Sequence, residues 1–535
     1  MIKRARAGVA AVVTVLCAAG GVAAAGAPAG ASATGDGTRF IFPGTLLVSE
    51  SFYTNDPNIV AGQTQLPPGC TGSNCVTATA NGSYPQVFNN ALVDGSFGVT
   101  SKIYLAEMTP GGLPIATIGV PASELVTSFS SKSELALNLS PDGRTVSFMG
   151  YAAAPDDVDV SNSNTPGVID PTNPVPGAFY RAVAQLTGNG RFGFTETNAY
   201  SGNNGRAAIT ADAGGQELIY TSGNAGNGGT PQPDGVILGA GAQLIHPSNQ
   251  PESAQNPGTP TPVGSFNITE LGDKADKIGK DDNFRGLTIA NNVLYYTKGS
   301  GGNGVNTVYF LDTTGKACPN GTGLPAPGAQ LPTTGLSYTL STLQANGLPS
   351  NMCILKGFPT ALKSTTSFPF GLWFANADTL YVADEGNGTT TFAGGQYTAA
   401  AAQSTAGLQK WVFDSSAGEW KLAYTLQAGL NLGQPYTVVG YPTGINAATG
   451  LPWAPATDGL RNITGRVNRN GTVTIWAITS TVSGSGDQGA DPNKLVAITD
   501  ELGASFPAAG ESFRTVRAAG FGQVLRGVSF APGSR

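Results

Sequence analysis

Two short stretches of the sequence, LYYTKGSGGNG at 294–304 and LYVADEGNG at 380–388, follow one pattern. Each is an apolar and aromatic run that ends in a glycine-rich loop. Each also follows a similar lead-in, FRGLTIANN at 284–292 and FPFGLWFANAD at 368–378. Alternating aromatic, β-branched and polar residues, bounded by Asn, Asp and Gly, are typical of strands joined by tight turns. The two stretches therefore predict a repeated strand–turn–strand unit.

The same unit recurs along the chain. Its other copies are LALNLSPDGRTVSFMGYAA from Leu135, RAAITADAGGQELIYTSGNAG from Arg206 and LRNITGRVNRNGTVTIWAITS from Leu460. Further strand candidates follow most copies, and three or four short strands per repeat are typical of β-propeller blades. Arg206, Arg285 and Phe370 begin successive units and are 79 and 85 residues apart, whereas compact blades take roughly 40–50 residues. Long inserted loops are therefore expected, around 54–100, 313–366 and 427–459.

The two ends of the chain are expected to complete each other. LRGVSFAPGSR at 525–535 copies the first strand of a unit and then stops, whereas TLLVSESFY at 45–53 copies a second strand with no first strand before it. Pairing of these segments would close the ring and remove an exposed sheet edge. The sequence thus predicts an all-β fold, a single propeller over 34–535. Six blades are expected, or seven if two have been merged.

Composition narrows the class of protein. The 535 residues carry 28 Lys and Arg, 34 Asp and Glu and a net charge of −6, which offers no general attraction to nucleic acid. Residues 1–33 have a basic start, an apolar stretch and an ASA end, the features of a secretion signal peptide. No later stretch is apolar for long enough to span a bilayer. We therefore expect a secreted, extracellular monomer without a membrane span.

Four cysteines remain after the predicted signal, and an even number in an exported chain indicates disulfides. We pair Cys70 with Cys75 inside CTGSNC, and Cys318 with Cys353 across a loop. The second closure is expected to stabilise the fold by about 3–4 kcal/mol on the chain-entropy model. A zinc site is the rival interpretation, but the cysteine spacing does not suit it and the chain has one histidine.

Two segments resemble known propeller blades. PFGLWFANADTLYVADEGNG from Pro369 is similar to the NHL-type blade, in which Pro and Gly enter a strand that is followed by an LYVAD-GN segment. LSPDGRTVSF from Leu139 is similar to a strand–turn–strand unit of TolB-like propellers. Such propellers include gluconolactonase-like enzymes, in which a divalent ion lies in the channel, and also pure binding modules. The resemblance implies a fold rather than an activity.

The first residues of the repeats are the candidate ligand-binding residues. Arg206, Arg285, Arg461 and Arg526 occupy equivalent points, with Phe370 in their place in one unit. In a propeller these points lie around one mouth of the central channel, where Arg would bind carboxylate, phosphate or sulfate through paired hydrogen bonds. The alternative is that each arginine pairs with an acid or carbonyl of a neighbouring blade and holds the ring together.

The ends of the second strands supply the remaining candidates. Lys298 is a further ligand-binding candidate, and Glu50, Asn283 and Asp384 offer hard oxygen ligands for Ca²⁺. Asp384 and Glu385 are the candidate catalytic residues. These positions predict binding of an acidic sugar, lactone or ester, as a small molecule or polysaccharide, with metal-assisted hydrolysis or lyase chemistry. The alternative is a non-catalytic extracellular binding or scaffold propeller, and Asp384 and Glu385 would then be turn residues.

Overall fold

The computed structural model describes most of the chain from Phe40 onward. The described residues are 40–52, 60, 62–66, 71, 75–77, 99–128, 134–169, 171, 173, 175, 177–225, 239, 241–250, 284–299, 305–336, 351–361, 366–485 and 489–534. The predicted signal peptide at 1–33 lies outside them. So do Asn283 and Cys70. No helix among the described residues is long and apolar enough to cross a membrane.

Six sheets form the blades of a β-propeller, as the repeats predicted. Strands are given from the channel outward. Blade 1 contains Gln523–Phe530, Leu46–Phe52, Ile103–Met108 and Pro114–Gly119. Blade 2 contains Asn138–Leu139, Thr145–Tyr151, Arg181–Thr187 and Phe192–Thr197. Blade 3 contains Gly205–Ala213, Gln216–Gly223 and Gly241–Ile245.

The remaining blades follow the same order. Blade 4 contains Phe284–Ala290, Val293–Lys298, Thr307–Leu311, Met352–Leu355 and Thr322–Gly323. Blade 5 contains Pro369–Asn376, Thr379–Asp384, Gly407–Asp414 and Glu419–Leu426. Blade 6 contains Ala456–Val467, Thr472–Val482, Lys494–Glu501 and Arg514–Ala518. Each inner strand contacts the inner strands of both neighbouring blades, so the six blades form a closed ring.

Short elements decorate the loops between these strands. Three two-residue ladders pair Gln65–Leu66 with Val76–Thr77, Thr100–Ser101 with Thr127–Ser128 and Phe392–Ala393 with Gln396–Tyr397. A 3-10 turn spans Val160–Asn162, and one α-helical turn spans Thr398–Ala401.

The chain ends pair as expected. Gln523–Phe530 lies antiparallel to Leu46–Phe52, with Leu46 opposite Phe530 and Glu50 opposite Leu525. The inner strand of blade 1 therefore comes from the C-terminal end of the chain and its other strands from the N-terminal part. Ring closure by these ends, predicted from the incomplete repeats, is confirmed.

Burial within a blade follows from its position between two neighbours. The second strands Thr145–Tyr151, Val293–Lys298 and Thr379–Asp384 are buried along their whole length, because each face packs against another blade. The outer strand Pro114–Gly119 is half-buried to exposed. The tight turn between the first two strands of blade 4 uses Asn291 and Asn292, both with positive φ, as a two-residue hairpin requires.

One predicted disulfide is present within the described residues. Cys318 and Cys353 are bonded, with their Cα atoms 5.8 Å apart. The bond ties the long connection of blade 4 to the Met352–Leu355 strand, which also pairs in parallel with Thr322–Gly323. Cys75 is also disulfide-bonded. Because Cys70 lies outside the described residues, its pairing with Cys75 stays a prediction.

Five inner strands carry a β-bulge near their first residues. In blade 4, Phe284 pairs with Lys298 and Leu287 pairs with Tyr296, so Arg285 and Gly286 face a single residue. We call the first extra residue the bulge position. It is occupied by Arg526, Arg206, Arg285, Phe370 and Arg461 in blades 1, 3, 4, 5 and 6. A bulge redirects one side chain out of the regular alternation.

The next residue of each inner strand is small or polar, and together these residues form a narrow layer that we call the waist. The waist consists of Gly527, Ala136, Ala207, Gly286, Gly371 and Asn462. A Cβ atom on Gly286 would lie 2.4 Å from the carbonyl oxygen of Phe370 in blade 5. A Cβ atom on Gly527 would lie 2.2 Å from that of Leu135 in blade 2. Neighbouring backbones therefore touch at Gly286 and Gly527, where a residue with a side chain would not fit.

Asn462 crosses the waist. Its Oδ1 accepts a hydrogen bond from the backbone N–H of Val528 in blade 1 at 2.6 Å. It also accepts one from Leu137 in blade 2 at 3.4 Å. One side chain of blade 6 thus satisfies backbone groups of two other blades. The waist separates the channel into an end that holds the bulge positions and an opposite end where the inner strands finish.

Candidate functional site

The four candidate arginines lie deep in the protein at the bulge positions rather than on an open rim. Arg206, Arg285, Arg461 and Arg526 are all at most 5% exposed. Because a buried guanidinium needs hydrogen-bond acceptors or a counter-charge, their partners decide what this end of the channel can do.

Glu385 is shared by two of these arginines. Its carboxylate accepts Arg285 Nη2 at 3.0 Å and Arg461 Nε at 3.2 Å, and all three side chains are buried. Arg285 belongs to blade 4 and Arg461 to blade 6, whereas Glu385 follows the second strand of blade 5. The Phe370 ring lies between the two guanidiniums, 5.4 Å from Arg285 Cζ and 5.9 Å from Arg461 Cζ. This cation–π contact and the shared carboxylate bring three blades together.

The contacts of the other two bulge arginines include neutral groups. Arg526 donates from Nε to Ser51 Oγ at 3.3 Å and from Nη2 to the Ser128 carbonyl at 3.5 Å. Arg206 donates from Nη2 to Asn204 Oδ1 at 3.4 Å. Arg285 and Arg461 therefore converge on one carboxylate, and hydroxyl, amide and carbonyl oxygens contribute to holding Arg526 and Arg206.

Blade 2 departs from the repeat. Leu135 takes the place of the bulge residue with a φ of 65°, and its carbonyl accepts Ser49 Oγ at 2.6 Å. Beside it, buried Glu134 accepts hydrogen bonds from Tyr151 Oη and from Asn204 Nδ2. At this blade the bulge layer therefore holds an acid beside an apolar residue instead of an arginine.

Arg181 is a buried cation that the repeat analysis missed. Its guanidinium donates to the carbonyl oxygens of Asn203 at 2.6 Å and Ser163 at 2.8 Å. Burial lowers the pKa of Arg181 to about 9, and the nearby Glu134 opposes this shift. The only sequence signal was an arginine that begins an otherwise apolar strand. Because it donates to several backbone carbonyls, Arg181 fixes the loops that surround the bulge layer.

The second strands end beside the bulge positions, where they place the remaining candidates. Lys298 is buried, and its Nζ donates to Asn306 Oδ1 at 3.1 Å. Glu50 forms an ion pair with Arg517, with Nη2 2.5 Å from its Oε1, and its Oε2 accepts a hydrogen bond from Gln523 Nε2 at 2.7 Å. Burial raises the pKa of Glu50, and Arg517 opposes this shift. Lys298 is therefore paired within blade 4, whereas Glu50 is paired with Gln523 of its own blade and with Arg517 of blade 6.

Asp384 and Asp458 are two further buried acids near Glu385. Asp384 accepts the backbone N–H groups of Phe368 at 2.9 Å and Gly386 at 3.0 Å. Asp458 accepts Gly388 N–H at 2.8 Å, and a Cβ on Gly386 would lie 2.5 Å from its carboxyl carbon. Burial raises the pKa of Asp384 to about 6 and that of Asp458 to about 7. Sequence reasoning did not single out Asp458.

The two described calcium-ligand candidates, Glu50 and Asp384, each have partners within the protein. No group of three or more His, Cys, Asp or Glu side chains among the described residues is arranged to hold a metal ion. Glu50 faces a guanidinium and Asp384 faces N–H groups, which are partners of an anion rather than co-ligands of a cation. Asn283 lies outside the described residues, so the calcium site stays a prediction.

Comparison with known proteins gives distant structural likeness only. No protein-family model matches the chain, and no curated protein matches it. One similar structure is a polysaccharide lyase of family PL25, an ulvan lyase bound to -[GlcA(1-4)Rha3S]-. The two chains are 10% identical with a TM-score of 0.29, and the match covers 92% of this chain and 97% of the lyase. The haemagglutinin-neuraminidase ectodomain of parainfluenza virus 5 is similar at 10% identity and 0.26, covering 83% and 78%. Likeness at this level carries no functional conclusion, which must come from this chain's own residues.

Proposed function

We propose that this chain is an exported β-propeller that binds an anionic ligand, such as an acidic sugar, lactone or ester, in the bulge layer of the channel. The signal-like residues 1–33 and the Cys318–Cys353 bond support export. The observation that carries the binding proposal is that Arg285 and Arg461 reach one carboxylate from two different blades. Their guanidiniums are therefore already arranged around a carboxylate, and a ligand carboxylate would need the same arrangement.

Glu385 would compete with such a ligand for the two arginines. A buried acid between two guanidiniums stabilises the empty site and must be displaced or shared when an outside anion binds. The binding energy available to the ligand is then the difference between its own contacts and those of Glu385. The alternative is that Glu385 serves only to fasten blades 4, 5 and 6, in which case no anion exchanges with it and the propeller is a scaffold.

A thermal-shift titration of the mature chain with D-glucuronate, with D-glucose as the neutral match, tests the proposal. Glucuronate at about 100 times its Kd should stabilise the wild type by about 2.7 kcal/mol, and glucose should not. Glu385→Gln should increase the glucuronate shift, because the arginines lose their internal competitor. Arg285→Lys should reduce it, since lysine cannot form the paired hydrogen bonds. If glucuronate shifts neither the wild type nor Glu385→Gln, the bulge layer is structural only.

Acid–base catalysis by Asp384 or Glu385 is the second candidate function. It is favoured by the raised pKa values of Asp384, about 6, and of Asp458, about 7, which keep carboxyl groups partly protonated near neutral pH. Turnover of a uronic-acid lactone or ester should then disappear in Asp384→Asn while glucuronate binding persists. If the wild type binds glucuronate but does not turn over the lactone or ester, binding is the function. Adding Ca²⁺ to the same thermal-shift series checks the predicted metal site.

A further inference from the structure

A cavity lies at the opposite end of the channel from the bulge layer, beyond the waist. Its volume is about 600 Å³, within the range of small-molecule sites. Each blade contributes the third residue after its bulge position. These six lining residues are Ser529, Asn138, Ile209, Thr288, Trp373 and Thr464. The waist lies between this cavity and the arginine layer, because the lining residues follow the waist residues along the inner strands.

Trp373 provides a fixed aromatic surface in the cavity. Its side chain is half-buried, and a Cβ on Gly465 of blade 6 would lie 2.6 Å from the indole ring. The ring also contacts Tyr381 of its own blade, at 6.2 Å between centroids. The indole is therefore held between two blades while part of it remains open to the cavity. A fixed, partly exposed aromatic face suits stacking by the apolar face of a sugar ring.

Polar groups from alternate blades surround this aromatic face. Thr288 of blade 4 and Thr464 of blade 6 make no side-chain hydrogen bond to another described residue, although both line the cavity. In blade 2, Asn138 Nδ2 donates to the Ala208 carbonyl at 2.9 Å, which orients the amide and leaves its Oδ1 as an acceptor. Two hydroxyls and an amide oxygen match the hydroxyl groups of a sugar better than an apolar ligand.

Arg466 gives the mouth of this cavity its charge. It is the one charged residue among the described lining residues. Its guanidinium carbon lies 5.8 Å from the Trp476 ring and 5.9 Å from the Phe530 ring. These two cation–π contacts hold an exposed cation in place at low cost in conformational freedom. An anionic group on the ligand would therefore meet a preorganised guanidinium.

We infer that this cavity binds an acidic monosaccharide unit, with its ring on Trp373, its hydroxyls on Thr288, Thr464 and Asn138, and its carboxylate on Arg466. The inference goes beyond the proposed function, since none of these residues belongs to the bulge layer. Binding at the two ends is distinguishable, because the waist lies between the two sets of side chains. A chain with both sites would bind two acidic sugars.

Titration of the mature chain with D-glucuronate, followed by tryptophan fluorescence and by calorimetry, tests the inference. Wild-type fluorescence should change on binding, and Trp373→Phe should abolish the change while retaining a melting temperature close to wild type. Arg466→Gln should weaken glucuronate binding at least about tenfold, as loss of a charge-assisted hydrogen bond predicts, without changing the weaker binding of D-glucose. The matched control is Arg469→Gln, which removes an exposed charge from the neighbouring turn and should leave binding unchanged.

Three outcomes would overturn the inference. One is a glucuronate affinity of Arg466→Gln equal to that of the wild type. Another is binding that disappears in Arg285→Lys but persists in Trp373→Phe, since that result places the ligand in the bulge layer alone. The third is the absence of any fluorescence or calorimetric response of the wild type to millimolar glucuronate. Thr464→Val, which keeps the side-chain shape, should weaken binding of both sugars and so confirm the hydroxyl contact.

Discussion

The two ends of the central channel are built from the same six strands and differ in how their polar groups are satisfied. At the bulge layer, four buried arginines meet internal partners, and one carboxylate joins two of them. At the opposite end, hydroxyls, an amide and a single exposed guanidinium surround a cavity of about 600 Å³. The repeated strand therefore does not fix the chemistry of both ends of the channel. The residue three positions after the bulge position differs from blade to blade.

The largest expected effect comes from removing the shared carboxylate. Glu385→Gln leaves two buried guanidiniums without their counter-charge, and breaking a buried ion pair from one side costs about 3–5 kcal/mol. Chemical denaturation should show this loss of unfolding free energy. The matched control is Asp414→Asn, which removes an exposed pair with Lys421 and should scarcely change stability. Equal effects of the two variants would show that Glu385 does not fasten the blades.

The next largest effect is expected at the waist, where neighbouring backbones are in contact. Gly371→Ala would place a Cβ 2.5 Å from the Arg461 carbonyl oxygen, and overpacking of this kind costs about 1–3 kcal/mol. Gly503→Ala, where nothing lies within 4 Å of the added atom, is the control. Thermal melts of both variants measure the difference. If Gly371→Ala melts like the wild type, the inner strands of blades 5 and 6 are not in backbone contact there.

The pH dependence of stability separates the bulge end, with its buried acids, from the cavity end, whose described lining residues include no Asp or Glu. Because the pKa of Asp458 is raised to about 7, the folded chain holds a proton that the unfolded chain releases near pH 4. Stability should therefore fall as pH rises between about 4 and 7, by up to about 1.4 kcal/mol per pH unit for each such proton. Asp384 adds to this slope up to its pKa of about 6. Asp458→Asn should flatten the curve measured by thermal melts, and an unchanged slope would contradict the assignment.

The smallest expected effect is on the cavity side. Arg466→Gln removes an exposed cation with two ring contacts, so the free energy of unfolding should change by only about 0.5 kcal/mol. Arg461→Gln, a few residues earlier on the same strand, should cost several times more because Arg461 is buried against Glu385. Denaturant titrations of the pair measure the contrast directly. Similar losses for both would mean that the two ends do not differ as described.

Much of the architecture could be predicted from the sequence, because a strand pattern that is weak in one copy becomes informative when it recurs in several copies. The copies that begin near Arg206, Phe284, Phe368 and Leu460 predicted blades, and the unpaired end segments predicted ring closure. The arginines were found for the same reason, since they recur at one position. Their burial and their different partners were not predictable, because these depend on which blade lies beside which loop.

Residues that occur once escaped the repeat analysis. Arg181 and Asp458 act through the backbone groups and loops of neighbouring segments, which have no fixed spacing in the sequence. Trp373 and Thr464 could not be placed at the cavity from the sequence, since strand alternation does not tell which layer of the channel a residue reaches. A single bulge shifts that layer, and bulges have no sequence signature here beyond the arginine itself.

Closure of blade 1 by the last strand has a consequence for biosynthesis. Gln523–Phe530 covers the inner edge of the strand Leu46–Phe52. Until Gln523–Phe530 is synthesised, that edge has no partner strand. A nascent or C-terminally truncated chain therefore presents an open strand edge on which a second molecule can add, a recognised route to aggregation. Deletion of residues 523–535 should accordingly give oligomers in light scattering instead of a five-bladed monomer. Translocation of an unfolded chain would postpone this exposure until the whole sequence is available.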